Sequence, residues 1–600
     1  MSSAAPSISG TELVESGVGP YVSDTPSDRF PIYTRGNAGE VYPEVFYPLT
    51  YSLTRAPTQH AMNRAAMVSG ILTENDLAEQ TAVGRGATDV AVLTGVFRGY
   101  AYLNLSISRV MAGRAFGASI DDVDHQFMGA IGQAPPHRSH PLDRNLGATA
   151  ASVRWIISTL RLTELPQLVA DQQRVASWKA GLPDCNTATN HELLTATRDS
   201  QEFLYELFET HLVVSGRSAI PLGVMTKICT EQLDDPTLPV RLFGGVGDVS
   251  SAAPAIALWS LGRRVAGDVE LTELFDQGTF GLSDRLALAD TAAGFRDAFA
   301  DFLREFGSRG PNEWETACDT WGTDPDLALT LVDRLRNADP ANAPATTHKA
   351  MAAERKAAIE DARSSLRGPN RWVFDRALAS GTLLSRSRER TKTTVVDAIH
   401  EMRLMSRELG RRLADQAGSG NPDDLWFLLE DELDQYLATP ERFAETIGER
   451  RHTRAELARR VPPFFFDGRQ PSADTWAQRN EKNASATMVV PGEVITGIGG
   501  CPGVARGRAR IVTDPADPGE LGPGDVLIAP LTDPAWTPLF LSAKAVVVDV
   551  GAQLSHAVIV SRELGIPCAV SVTDATNRIP DDALIEVDGT RGTVTIIELP

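Results

Sequence analysis

Cysteine is scarce in this sequence. Cys185, Cys229, Cys318, Cys501 and Cys568 are five among 600 residues, odd in number, widely scattered and in no metal-ligand spacing. That pattern excludes a disulfide scaffold and suits reduced thiols, so the cytoplasm is the expected location. Positive charge is also in deficit. A formal net charge of −21 argues against nucleic acid and membrane as bulk partners, while local basic clusters remain possible within an acidic whole. No apolar run approaches the length of a bilayer span. Met1 to Gly10 has neither the positive start nor the apolar stretch of a signal peptide. Gly244-Gly-Val-Gly-Asp-Val-Ser-Ser251 lacks the lysine of a Walker motif and the order of a dinucleotide fingerprint, so it reads as a helix-packing turn. His137 and His140 share a proline-rich loop with no third ligand nearby. A surface loop is expected there, and no metal.

Six hundred residues exceed one hydrophobic core, so at least two domains are expected. No internal repeat of fixed period is visible. Residues 1–28, rich in Ser, Gly and Pro, read as a loose arm. From about residue 60 to 460 apolar residues recur with helical spacing, as in Glu202–Val214, Ala255–Leu261, Phe295–Phe306 and Val395–Ala417. Gly310-Pro311 and Asp339-Pro340 punctuate them. Residues 29–466 are therefore assigned to a large, mainly α-helical domain. A polar stretch at 467–490 is a linker candidate, and 491–600 forms a strand-rich α/β unit. The fold class is thus multidomain, with a helical substrate domain followed by a C-terminal α/β domain.

Within the C-terminal unit, Ala545–Val550 reads as a strand buried on both faces. Gly551 permits a sharp turn through backbone angles closed to other residues. Ser555 is a good N-cap, Ala557–Leu564 a two-turn helix, and Gly565 with Pro567 its stop. His556 then lies in the first helical turn, where free N–H groups and the dipole stabilise an anion. Imidazole, with a pKa of about 6.5, is largely a neutral nucleophile at cellular pH. A phosphoryl carrier and a simple capping histidine both fit those facts.

The surrounding residues decide between them. The stretch resembles the swivelling phosphohistidine domain of the phosphoenolpyruvate-utilising enzymes, matched almost throughout by Ser561-Arg-Glu-Leu-Gly-Ile-Pro567. Flanking pieces agree: Gly500-Cys-Pro-Gly-Val-Ala-Arg-Gly507, Leu531-Thr-Asp-Pro-Ala-Trp-Thr-Pro538 and Leu584-Ile-Glu-Val-Asp-Gly-Thr-Arg-Gly-Thr-Val594. Ala552 and Leu554 depart from it, standing where many relatives have glycine and threonine. The resemblance implies that His556 is the phospho-acceptor, supported by Gly551 and Ser555.

Two upstream segments resemble the substrate domain of rifampicin phosphotransferases, and the first of them also resembles the catalytic subunit of phenylphosphate synthase. One is Tyr33–Tyr51, an irregular aromatic and proline-rich strap that implies substrate contacts from Arg35, Asn37, Glu40 and Tyr51. The other is Ser385-Arg-Ser-Arg-Glu-Arg-Thr-Lys392, four basic residues in eight positions ahead of a helix beginning near Val395. On helical geometry Arg388 and Lys392 share a face and suit a phosphoryl group in flight. Family members that charge themselves carry an ATP-grasp module, and those acting on phosphoenolpyruvate carry a barrel; neither is seen. The resemblance therefore implies a dikinase-type phosphotransferase subunit that splits ATP to AMP and phosphate. ATP and Mg2+ would be bound by a separate ATP-grasp subunit, and a small phenol would be the acceptor on the helical domain. A split antibiotic kinase and a non-catalytic phosphocarrier are the alternatives.

Overall fold

The computed structural model describes the chain apart from residues 1–18, 80–89, 129–134, 247–252, 339, 341–342, 480–487, 516, 533–535, 552–554 and 573. Ala552 and Leu554, the most divergent positions of the histidine loop, lie outside the described residues, as does most of Gly244–Ser251.

Two long helices form the spine. The 44-residue helix Asn190–Leu233 begins on a Thr189–Glu192 capping box, and the 50-residue helix Gly368–Ala417 ends on Gly418 in the left-handed region. Leu193, Leu204, Leu207 and Phe208 of the first pack with Val395, Ile399 and Met402 of the second in one buried cluster. By length and mean hydropathy alone Asn190–Leu233 could cross a bilayer, an exception to the sequence expectation. The length comes from Glu202–Val214 being the middle of a longer helix, and one face of it is taken up by this packing. The Arg388–Lys392 segment was expected to precede a helix; it lies inside one. No proline interrupts 370–417, and the Thr391, Thr393 and Thr394 hydroxyls donate to the carbonyls of Arg388, Glu389 and Arg390, so these β-branched residues stay helical.

A second layer comprises helices Ala253–Ala266, Ala293–Phe306 and Pro325–Arg336. It shares a continuous core with Trp536, Leu539, Phe540 and Val558 of the C-terminal unit, so that unit is docked against the helical body. The unit holds an eight-stranded sheet. Val504–Ile511, Val526–Ala529, Ala545–Val548 and Cys568–Val570 run parallel in that spatial order. Antiparallel strands close both edges: Ile498–Cys501 beside Cys568–Val570, and Leu584–Asp588, Thr593–Glu598 and Val494–Thr496 on the other side. The valine-rich strand is buried on both faces, with Val546 and Val548 toward the helical body and Ala545 and Val547 in the opposite cluster.

One element was not foreseen in the helical half. Thr94–Phe97, Tyr100–Asn104, Ile32–Thr34 and Phe465–Asp467 form a four-stranded antiparallel sheet. Its strands are only three to five residues long and come from distant parts of the chain, so no local period announces them. The sheet also draws in both proposed tethers. Tyr21 is buried and Thr25–Pro26 pairs with Val90–Ala91, so residues 19–28 are packed. Phe465–Asp467 pairs with Ile32–Thr34, and Gln470 and Trp476 are buried. The stretch assigned as linker therefore starts as packed structure, because apolar Trp476 finds the Tyr100 ring at 5.9 Å; residues 480–487 lie outside the described residues.

The two spine helices cross closely at Gly381, where a Cβ would stand 2.4 Å from Phe243 Cε1 and 3.1 Å from Pro221 Cβ. Gly381→Ala is expected to destabilise the fold by about 1–3 kcal/mol through overpacking, read from urea unfolding. An unchanged midpoint would contradict that close crossing.

Candidate active site at the docked interface

His556 is the first residue of helix His556–Leu564, which stops at Gly565 with φ 68°. The expected strand, turn and helix are all present, but two details differ from expectation. Ser555 occupies the N-cap position yet makes no side-chain capping bond, and its buried Oγ has no partner among the described residues. Gly551 does not use a positive φ. It is needed because a Cβ there would lie 3.0 Å from Val570 Cβ and 3.2 Å from Ser555 Oγ, and its carbonyl accepts from Ser571 Oγ at 2.6 Å.

Two threonines of the Leu531–Pro538 motif hold the ring. Thr537 Oγ1 is 3.1 Å from Nε2 and Thr532 Oγ1 is 3.3 Å from Nδ1, while Phe540 meets the ring edge-on at 6.0 Å. Burial, then Lys392, Arg309 and Arg388 in that order, hold the imidazole well below its ordinary pKa. His556 is thus a neutral nucleophile across the physiological range.

Those cations come from the helical domain. Arg388 and Lys392 sit one turn apart on Gly368–Ala417, as their spacing implied, and both act electrostatically on His556. Lys392 Nζ is 3.0 Å from Glu313 Oε1. Arg309 Nε donates to Glu313 Oε2 at 2.6 Å, so one fully buried carboxylate anchors two cations. Burial alone would raise the Glu313 pKa, but Arg309 and Lys392 outweigh it and keep the carboxyl below its usual range. Arg309, Glu313 and Trp314 were missed in the sequence. They flank the Gly310-Pro311 breaker, which was read only as punctuation, and the one available signal was a cluster of Arg, Glu and Trp in a loop.

Of the four strap residues, the structure brings one to His556. Glu40, on the short helix Ala38–Val41, faces the His556 backbone N–H, with Arg388 and Lys392 nearby. Burial pushes its carboxyl up to about 7 against those three opposing influences. Arg35 is instead built into the fold. Its guanidinium donates to the carbonyls of Ala101, Tyr42 and Pro43 at 3.0–3.1 Å and lies over the Tyr100 ring at 4.9 Å. Tyr51 is packed with Phe46 and Arg55 on helix Pro48–Ser69. Asn37, at φ 60°, makes the turn into the Glu40 helix without capping it. His140 and His137 serve the loop: His140 Nδ1 accepts from the Leu142 N–H at 3.2 Å, and His137 lies 3.6 Å from Asp143.

Beside Arg388 lies a cavity of about 60 Å³. Leu222 and Phe243 of the helical body line it together with Ile559, Arg562 and Glu563 of the His556 helix. The cavity is therefore shared between the two domains.

The raised Glu40 pKa has a consequence for docking. Burial against the His556 helix favours its protonated form, so its contribution to docking is complete below about 4.5 and is lost as pH rises through about 7. Fluorescence transfer between labels on the two domains should fall between pH 5 and 8, and Glu40→Gln should flatten the profile. A profile unaltered by Glu40→Gln would contradict this.

Residues 521–592 match the family model for the PEP-utilising enzyme mobile domain, and residues 211–392 match that for the rifampicin phosphotransferase fourth domain. An uncharacterised protein of Mycobacterium tuberculosis is 35% identical over 312 residues, covering 52% of this chain and 33% of its own length. A prodigiosin synthesizing transferase of Serratia marcescens is 24% identical over 613 residues, covering 96% of this chain and 64% of itself. A rifampicin phosphotransferase of Bacillus subtilis is 27% identical over 324 residues, covering 52% and 36%. The chain thus spans about a third of the length of the mycobacterial relative. The site therefore joins a segment similar to the PEP-utilising enzyme mobile domain, which carries His556, to one similar to the rifampicin phosphotransferase fourth domain, which ends on Lys392.

Proposed function

We propose that this chain is a phosphotransferase that carries a phosphoryl group on His556 and delivers it to the hydroxyl of a small phenolic acceptor held by the helical domain. ATP and Mg2+ are assigned to a separate ATP-grasp subunit, which charges His556 and releases AMP and phosphate. The observation that carries this reading is the convergence of His556, from one end of the chain, on Arg388, Lys392 and Arg309 of the helical body.

Phosphoryl transfer asks the protein mainly for positioning and charge stabilisation. Thr532 and Thr537 fix the ring, and its neutral state leaves a nitrogen lone pair for the phosphoryl group. Once charged, His556 presents a dianion to the three cations, which neutralise charge as it spreads over the equatorial oxygens. A phenol suits the acceptor role because a hydroxyl pKa near 10 makes its oxyanion accessible. The small cavity beside Arg388, with apolar walls of Leu222, Phe243 and Ile559, favours a compact ring over a bulky antibiotic.

Intact mass after incubation with Mg-ATP and an ATP-grasp partner is expected to rise by about 80 Da, acid-labile, and not at all in His556→Ala. Arg388→Ala and Lys392→Ala should still charge but lose delivery to phenol by about 10²-fold or more. Delivery to rifamycins but not phenols would favour an antibiotic kinase. Intact transfer to a protein by both variants would favour a phosphocarrier.

A further inference from the structure

The proposed reaction requires a group that takes the acceptor's proton, and the structure holds a histidine suited to that task. His211 lies on helix Asn190–Leu233, across from Gly368–Ala417. Its Nδ1 is 3.0 Å from Thr391 Oγ1. The Thr391 proton is already committed, since Oγ1 donates to the Arg388 carbonyl at 2.8 Å. Thr391 can therefore only accept from the ring, and Nδ1 must carry the hydrogen. That fixes the tautomer and leaves the lone pair on Nε2. Among the described residues Nε2 meets no hydrogen-bond partner, and His211 is only partly buried.

The surroundings place the His211 ring beside the cations that act on His556. The His211 ring lies 6.1 Å from the Trp314 ring, and Lys392 Nζ sits 6.0 Å from the same ring. Burial first, and then Arg388 and Lys392, the cations that also act on His556, bring the His211 pKa down to about 3. A neutral imidazole next to two cations is a weak base while the site is empty. A phosphoryl dianion arriving on His556 offsets those two cations and so removes their part of the depression, while the larger part, from burial, is relieved only as the acceptor hydroxyl hydrogen-bonds to Nε2.

Building on the phosphotransferase reading above, we propose that His211 is the general base for the acceptor hydroxyl, through Nε2. The acceptor O–H bond breaks and its proton moves to Nε2 as the new O–P bond forms. The P–N bond to His556 breaks, and its electron pair returns to the ring nitrogen. The other ring nitrogen of His556 carries a proton in the charged form, so the departing ring is a neutral imidazole. His211 releases its proton to solvent when the phosphorylated product leaves.

The test uses the full chain charged on His556 with phosphoramidate, so that no donor subunit enters, with His556→Ala as the charging control. Single-turnover transfer is then followed with phenol and with a nitrophenol, whose hydroxyl is already largely ionised at pH 8. His211→Ala and His211→Gln are expected to charge normally, to slow transfer to phenol by about 10²-fold or more, and to slow transfer to nitrophenol by much less. Equal slowing with both acceptors, or none, would overturn the base assignment. If wild type and variants alike charge but pass nothing to either phenol, the acceptor reading fails instead. Nitrogen-15 NMR of the uncharged protein gives a reading independent of transfer: a neutral His211 with the hydrogen on Nδ1 supports the proposal, and a hydrogen on Nε2 overturns it.

Discussion

A single buried carboxylate organises the charge of this site. Glu313 is fully enclosed and grips Arg309 on one oxygen and Lys392 on the other. Two cations fixed in this way, with Arg388 one helical turn from Lys392, make a positive cradle that is assembled before any ligand arrives. His556 meets that cradle as a neutral ring, which avoids the cost of bringing a fourth positive charge into a buried place. Loading the ring with a dianion reverses the balance, so the same arrangement that tolerates an uncharged histidine attracts a phosphorylated one.

The scaffold explains why those groups meet. The 50-residue helix Gly368–Ala417 is long enough to share one core with Asn190–Leu233 while presenting Arg388 and Lys392 from its middle. The C-terminal sheet places His556 at the end of a parallel, doubly buried strand, a position from which a helix N-terminus points outward. Glu40 completes the enclosure from the short helix Ala38–Val41, facing the N–H that begins the His556 helix. The apolar side of the interface, Trp536, Leu539 and Phe540 against the second helical layer, supplies adhesion without charge.

How much of this was legible in the sequence follows the range of the interactions. His556 could be read because strand, turn, helix and Gly565 stop are contiguous. Arg388 and Lys392 could be read because four residues make slightly more than one helical turn, although their helix was placed too late. Ser555 kept its predicted position and lost its predicted bond. Gly551 is required for close packing on Val570 rather than for an unusual φ. Arg309, Glu313, Trp314 and His211 could not be read, since their roles depend on groups far along the chain, from Lys392 for Glu313 to His556 for Arg309. The four-stranded sheet escaped for the same reason, and with it the packed ends of the segments assigned as arm and linker.

On the proposed function His556 delivers in the docked arrangement and, because the docked ring is enclosed by the helical body, takes up its phosphoryl group only after leaving it. A short covalent tether between Ser218→Cys and Ile559→Cys, which line the same cavity from opposite domains, tests it most directly. Locked protein that was charged beforehand is expected to hand its phosphoryl group to the acceptor once and then fail to recharge from the donor subunit. Recharging at the unlocked rate, or failure of the locked and charged protein to deliver, would contradict the account.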